Sequence, residues 1–420
     1  MKVVLSTRGS RGDVHPVIEV AAALKRAGCE VSLSVPHLFG DHARSMGLDP
    51  LLYPEDSELV MQELGSGLAA IRTSLDWFSR AIDEQFEYLM AESADADCLL
   101  TSVNEVAVPT IAEYRGITHY RLAYTPVLPG RQPPPLIPWQ GLPGTVNRGL
   151  WSAINGVTAF IVRDRINSKR HELGLAPMGG INAYFTARSR TLLAINRTLA
   201  PPCRTWDARY NYAYTGYCHG TPGTGLDPAL EHFLDTGPAP VYIGFGSVSL
   251  RDAADFTRTI LRAVARAGCR IVLGTGWTGL GGGDLPESVF PVGDTDHALL
   301  FTRCAAVAHH GGCGTVHTAA RAGVPQFIMP QIADQFYWGD RIHRLGLGPA
   351  PIPPGSLTSR KLAGILTEMV GNTAYARNAA RLAVDMHGED GVTGVVGIVL
   401  NDTGFALPER EPALDTSRKV

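Results

Sequence analysis

The sequence has no uninterrupted apolar run near the ~18 residues that a membrane-spanning helix needs, and so predicts none. It has no CxxC pair. Seven cysteines, at positions 29, 98, 203, 218, 269, 304 and 313, are scattered and odd in number. That argues against a disulfide framework or a zinc site and points to a reducing cytoplasm. The apolar residues 3–5 form too short a run for the core of a signal peptide. An excess of either charge is also missing: 37 Lys and Arg face 40 Asp and Glu, a net charge of −3. Such a chain has no electrostatic footprint for sequence-independent nucleic-acid binding. What it does have is glycine, 46 of 420 residues, with 45% apolar and 18% charged residues. This is a packed globular chain, long enough for two domains of about 150 to 220 residues.

A long-range echo organises those domains. ALKRAGCEVSL at 23–33 returns as AVARAGCRIVL at 263–273, an offset of 240 that also lays Lys2–Ser6 against residues 242–246. Each copy reads as a short buried strand, a Gly/Ser loop, an amphipathic helix ending at Ala-Gly, and a second strand. The first helix is predicted over 16–27, opened by Pro16 and stopped by Gly28, with Val17, Val20, Ala21 and Leu24 on one face. Two such units predict an α/β protein of two doubly wound, Rossmann-like domains facing across a cleft. The expected division is 1–215, a Gly/Pro/Thr-rich linker at 216–240, a second domain at 241–395, and a tail at 396–420 whose first part packs back on the first domain. Ligands of such sheets bind at the carboxyl edge of the strands, so the cleft is where chemistry is expected.

Residues 126–143 hold seven prolines around Leu136 and Trp139. They predict an irregular loop, either a rigid surface excursion or a wall over the cleft. The stripe Phe78, Ile82, Phe86, Leu89 at helical spacing reads as core, with an acceptor-facing wall as the alternative. The polar end, 408–420, is expected to fray.

The most informative run is RCAAVAHHGGCGTVHTAARAGVPQFIM at 303–329. A buried strand leads into His309, His310, Gly311, Gly312, Cys313, Gly314 and Thr315, and a helix follows. Glycines let main-chain N–H groups approach a ligand, and a helix N-terminus favours negative charge, which together suit a phosphate or diphosphate. No Lys follows the glycines, so it is not a Walker loop. The bland alternative is a tight strand-to-helix turn, although two adjacent histidines there serve no evident packing need. Beyond the next strand stand Asp334 and Gln335, whose polar atoms suit vicinal sugar hydroxyls. The Asp could equally cap a helix.

Three strings are decoys. GTGWTG at 274–279 matches GxGxxG, but more glycines, Asp284 and Pro286 follow it, so no helix opens there and a dinucleotide site is not expected. Asp294-Thr-Asp296 and Asp95-Ala-Asp97 match DxD, a metal-binding string short enough to recur by chance.

The run HHGGCGTVHTAARAGVPQFIMPQIADQFYWGDRI resembles the donor-binding signature of inverting, nucleotide-sugar-dependent glycosyltransferases of the GT-B fold, in the branch of bacterial antibiotic and sterol glucosyltransferases. STRGSRGDVHPVIEVAAALKRAGCEV, GFGSV, GTGWTGL and LGLGPAPIPPGSLT are similar to further blocks of that branch. Residues 40–200, where acceptors would be recognised, carry little of the likeness. The resemblance implies that His310, Gly312, Gly314 and Thr315 hold the donor diphosphate with Ser247, and that Trp277 flanks the base while the backbone near Val292 reads its edge. It implies that Asp334 and Gln335 hold the sugar, and that Asp13 in RGDV is the general base. His15 is a rival base, and Asp13 could instead only cap the helix at Pro16 or brace the loop through Arg8 or Arg11.

The expected activity is metal-independent, inverting transfer of a hexose, chiefly glucose, from UDP-glucose or a dTDP-sugar to a hydroxyl of a hydrophobic natural product. The nucleotide sugar is a co-substrate, no metal or other cofactor is expected, and the chain should be a monomer or weak dimer. The alternatives are a sugar-nucleotide epimerase of the same fold and a catalytically silent auxiliary protein.

Overall fold

The computed structural model describes residues 1–53, 68–206, 209–221, 223, 225–246, 253–276 and 279–405, with the main chain alone over 68–78. In the N-terminal half, β1 (Lys2–Ser6), α1 (Arg11–Arg26), β2 (Glu30–Pro36), α2 (Gly40–Ser45) and β3 (Leu51–Tyr53) precede the long helix α3 (Leu68–Glu92). There follow β4 (Cys98–Ser102), α4 (Val108–Arg115), β5 (Thr118–Ala123), α5 (Gly144–Glu172), α6 (Ile181–Thr186), β6 (Ser189–Leu193) and β7 (Tyr212–Tyr214). The strands form one parallel sheet in the order β3-β2-β1-β4-β5-β6-β7.

The second sheet is also parallel. It is built from β8 (Val241–Gly244), β9 (Ile271–Gly274), β10 (Val289–Val292), β11 (Ala306–His309) and β12 (Gln326–Ile328) in the order β10-β9-β8-β11-β12. Its helices are α7 (Pro228–Asp235), α8 (Ala253–Ala267), α9 (His297–Phe301), α10 (Cys313–Arg321), α11 (Gln335–Arg344), α12 (Ser359–Gly371), α13 (Thr373–Met386) and α14 (Gly391–Thr403). The 240-residue offset holds: shifted by it, β1, α1 and β2 fall on β8, α8 and β9 to within a few residues at each end. Both sheets reverse strand order beside their first strand, between β1 and β4 and between β8 and β11. That crevice is where doubly wound sheets bind ligands.

Three local expectations are corrected. Helix α1 starts at Arg11, not at Pro16, because Ser10 and Asp13 form a reciprocal capping box one turn earlier. Pro16 is accommodated inside, and the helix ends as expected at Gly28 (φ +87°), with the Cys29 N–H donating to the Leu24 carbonyl. The stretch 216–240 is not all connector. Asp227 caps α7 through the N–H groups of Ala229 and Leu230, and Leu230 and Leu234 pack into the second domain with Tyr242 and Phe301. The return to the first domain starts at Gly391 rather than 396: α14 packs on α1, and Asp402 binds Arg190 and Tyr120.

No regular element occurs over 126–143, as the prolines dictate. Side chains satisfy the loop's carbonyls: Gln140 donates to Pro134, Asn147 to Arg131 and Leu142, and Trp151 to Gln132. Ile82, Phe86 and Leu89 are core residues, while the Phe78 side chain lies outside the described residues.

Candidate functional site

The site is assembled from strand ends. β1 delivers Asp13 through the turn at Gly9, whose φ of +122° only glycine adopts readily. A β carbon at Gly9 would lie 2.4 Å from Asp13 Oδ2 and 3.0 Å from Asn104 Nδ2, so the missing side chain is what admits this carboxylate. Asp13 Oδ2 accepts from the Ser10 N–H (2.9 Å) and Ser10 Oγ (3.0 Å). Its main-chain carbonyl accepts from Thr7 Oγ1 and from Tyr124 Oη. Burial pushes the Asp13 carboxyl above its ordinary range, against the opposing pull of hydrogen bonds from Ser10 and the Asn104 side chain. Asp13 therefore braces the helix end and is also a carboxylate made more basic than usual.

Sequence reasoning missed Asn104, which comes from the carboxyl edge of β4 and donates Nδ2 to the Arg8 carbonyl at 2.9 Å. Arg8 beneath it is buried against Tyr53 and bonded to Glu84. The only signal in the sequence was position, two residues past a strand next to the crevice.

β11 delivers the opposite wall. His309 is fully buried and engaged on both ring nitrogens: Nε2 meets Gln326 Oε1 at 3.0 Å, and Nδ1 accepts from the Gly311 N–H. The two adjacent histidines thus differ in role, and His309 does serve packing. His310 is half-buried between glycines. A β carbon at Gly312 would stand 2.5 Å from His310 Nε2, and one at Gly246 (φ +59°) 3.0 Å from its Cε1. Its Nδ1 is buried without a hydrogen-bond partner, and burial lowers its pKa to about 4, so the free imidazole is neutral.

Gly312 is the N-cap of α10 and supplies no side chain to cap it, so the N–H groups of the first turn, Thr315 included, have no intrahelical acceptor. Gly314 has a different reason to be glycine. A β carbon there would lie 2.7 Å from the hydroxyl of Tyr217, which stacks on His317. His317 joins the lobes: Nδ1 bonds the Cys313 carbonyl at 2.8 Å, and Nε2 accepts from the Asn196 N–H at 3.0 Å.

The loop after β12 carries Ala333 at φ +49°, the one non-glycine residue with positive φ among those described, directly before Asp334. Such local strain gathers at functional sites. Asp334 Oδ2 accepts from Trp338 Nε1 at 2.9 Å. Its pKa is pushed up to about 7, chiefly by burial, against the Trp338 bond and with the charge of Asp13 adding to the rise. Gln335 is buried, and its Oε1 accepts from the N–H groups of Gln331 and Ile332, which leaves its amide nitrogen as the group to present.

Val292 ends β10, where its carbonyl accepts from both N and Oγ1 of Thr275. Ser247 and Trp277 lie outside the described residues. His15 stacks on His42 with ring centroids 4.2 Å apart and meets Phe39 edge-on, and burial lowers its pKa to about 3. It is a poor proton acceptor. Both DxD strings are engaged. Asp294 pairs with Arg11, and Asp296 caps α9 and accepts from the Gly223 N–H. Asp95 and Asp97 both bind Lys2. No helix opens on the 274–279 glycines among the described residues.

Comparison with known proteins agrees with this architecture. Residues 258–401 match the family model "Erythromycin biosynthesis protein CIII-like, C-terminal domain". The glycosyltransferase GtfE of Amycolatopsis orientalis is 31% identical over 415 residues, 97% of this chain and 100% of that one. The vancomycin aglycone glucosyltransferase of the same organism is 32% identical over 383 residues, 87% and 90% of the two chains. A sterol 3-beta-glucosyltransferase of Arabidopsis thaliana is 31% identical over 419 residues, 94% of this chain and 67% of that one.

Among solved structures, the glycotransferase of kitacinnamycin superposes with a TM-score of 0.75 at 18% identity, covering 95% of this chain and 98% of that one. The glycosyltransferase VinC in complex with dTDP superposes with 0.66 at 18%, covering 97% and 100%. The twin parallel sheets, the glycine turn between β11 and α10, and near full-length identity above 30% lead to one assignment: the chain belongs to the GT-B, nucleotide-sugar-dependent glycosyltransferases, in the branch of antibiotic and sterol glucosyltransferases.

Proposed function

We propose that the protein transfers a hexose, chiefly glucose, with inversion and without a metal, from UDP-glucose or a dTDP-sugar to a hydroxyl of a hydrophobic natural product. The observation that carries this reading is the open N-terminus of α10, which no side chain caps, beside the buried and unpartnered Nδ1 of His310. A sugar held by Asp334 and the Gln335 amide, with its diphosphate at the N–H groups of α10, would then present its anomeric carbon toward Asp13.

The roles follow from the chemistry. Asp13, with Oδ2 held by Ser10, takes the acceptor hydroxyl proton as the oxygen attacks the anomeric carbon from the face opposite the diphosphate. The departing diphosphate gathers charge, which His310 and the open first turn of α10 stabilise by hydrogen bonding. Asp334, with a pKa near neutrality, can accept from or donate to a sugar hydroxyl. Ser247 and Trp277 remain assigned to the diphosphate and the base, and the backbone beside Val292 to the base edge.

Support for the donor and acceptor classes comes from relatives named for glucosyl transfer to vancomycin aglycone and to sterols, and from the dTDP complex of VinC. The test is a panel of UDP- and dTDP-sugars against hydrophobic acceptors, with and without EDTA, read by mass spectrometry. A hexosylated acceptor of inverted configuration, formed equally in EDTA, is the expected result. Conversion of the donor without acceptor would favour an epimerase, and failure to bind any nucleoside diphosphate would favour an auxiliary protein.

A further inference from the structure

The exposed apolar side chains are unevenly placed. Among the described residues, five of the eleven large ones lie between positions 136 and 160: Leu136, Trp139, Val146, Val157 and Phe160, the last 81% exposed. On α5, Val146, Val157 and Phe160 fall within about 60° of one another at 100° per residue. Exposed Ala153 lies in the same arc and exposed Gly149 about 20° beside it, so the stripe runs for about 20 Å.

Charge marks the same stretch. From residue 114 to residue 163, fifty consecutive positions carry no Asp or Glu, in a chain with 40 acids in 420 residues. Arg131 on the loop and Arg163, one turn beyond Phe160, are exposed, and the stripe ends at Asp164. The loop also approaches the second lobe: a β carbon at Gly141, two residues past Trp139, would lie 3.7 Å from Nη2 of Arg344, the last residue of α11. No helix of the described residues is long and apolar enough to cross a membrane.

We propose that the α5 face and the proline loop rest on an anionic lipid bilayer, with the apolar stripe in the headgroup boundary and the arginines on the phosphates. Apolar side chains beside exposed arginines, on a stretch of chain that holds no acid before Asp164, are the chemistry that binds such a membrane reversibly. The surface needs neither donor nor acceptor, so its failure would leave the transferase reading standing.

The test is co-sedimentation of the full chain with vesicles of phosphatidylcholine alone or mixed with phosphatidylglycerol. The protein partitions onto the mixed vesicles, less so as salt rises. Val157→Ser with Phe160→Ser lowers partitioning by about tenfold or more, and Arg131→Glu with Arg163→Glu lowers it on mixed vesicles. Unchanged melting temperatures establish that these surface variants are folded. No partitioning onto mixed vesicles, equal partitioning onto neutral ones, or unaltered binding by both variants overturns the proposal. So does a wild-type dimer that Phe160→Ser dissociates, since a second copy would then cover the face.

Discussion

Arg11 and Asp294 join the two lobes by a two-point ion pair, Nη1 to Oδ1 at 2.7 Å and Nη2 to Oδ2 at 3.1 Å. Both side chains are at least half exposed, so the pair contributes about 0–1 kcal/mol to stability. Arg11→Ala should therefore lower the melting temperature of this 420-residue chain by less than about 2 °C. It should also reduce the salt dependence of the donor KM, because an exposed pair is screened. Calorimetry with kinetics at two ionic strengths checks both; a loss above about 5 °C would make the pair structural.

His310 is neutral in the free protein, with a pKa lowered to about 4 by burial. A bound diphosphate favours the charged imidazole and raises that pKa. Nucleotide affinity should then rise as pH falls from 8 to 6, with net proton uptake on binding. Calorimetry of UDP binding in buffers of different ionisation heat reads the proton directly. His310→Ala should weaken UDP by about 10- to 100-fold and abolish the uptake. Unchanged affinity would remove His310 from the diphosphate site.

Asp334 has its folded pKa raised from 3.8 to about 7. A carboxyl shifted upward stabilises the fold below its unfolded pKa, and that contribution is lost as pH rises through the folded value. Wild type and Asp334→Asn should melt alike near pH 4. Above pH 7 the variant should melt higher, while its KM for the sugar donor rises. A variant that melts lower at pH 8 would show that the ionised carboxylate stabilises the fold.

Asn104→Asp sets a second carboxylate beside Asp13, in place of an amide whose hydrogen bond pulls the Asp13 pKa down. The acid limb of the kcat/KM profile should move to higher pH, since the base must be deprotonated to act. Asn104→Ala should move it the same way by less. An unmoved acid limb in both would mean that Asn104 holds only the Arg8 carbonyl.

Much of this was legible in the sequence because it was periodic or locally constrained. The 240-residue echo fixed two strand–helix–strand units, and glycines at 311, 312 and 314 marked the turn into α10. The start of α1 was misread because Pro16 outweighed the Ser10–Asp13 capping box, and 216–240 because composition concealed the helix capped by Asp227. Contacts between distant segments left no trace in the sequence. The Arg11–Asp294 pair, the His317–Asn196 bond and the Tyr217 hydroxyl over Gly314 depend on how the lobes meet. So does the difference between His309 and His310, which only the surroundings of each ring establish.

The most direct measurement is turnover by Asp13→Asn, because an asparagine can still accept the Ser10 N–H and so keep the helix end intact. With UDP-glucose, an accepted hydrophobic acceptor and EDTA, wild type should release UDP only when the acceptor is present. Asp13→Asn should lose about 10²- to 10⁴-fold in kcat while binding UDP within about threefold of wild type. Turnover by the variant near the wild-type rate would contradict the assignment of Asp13 as the base.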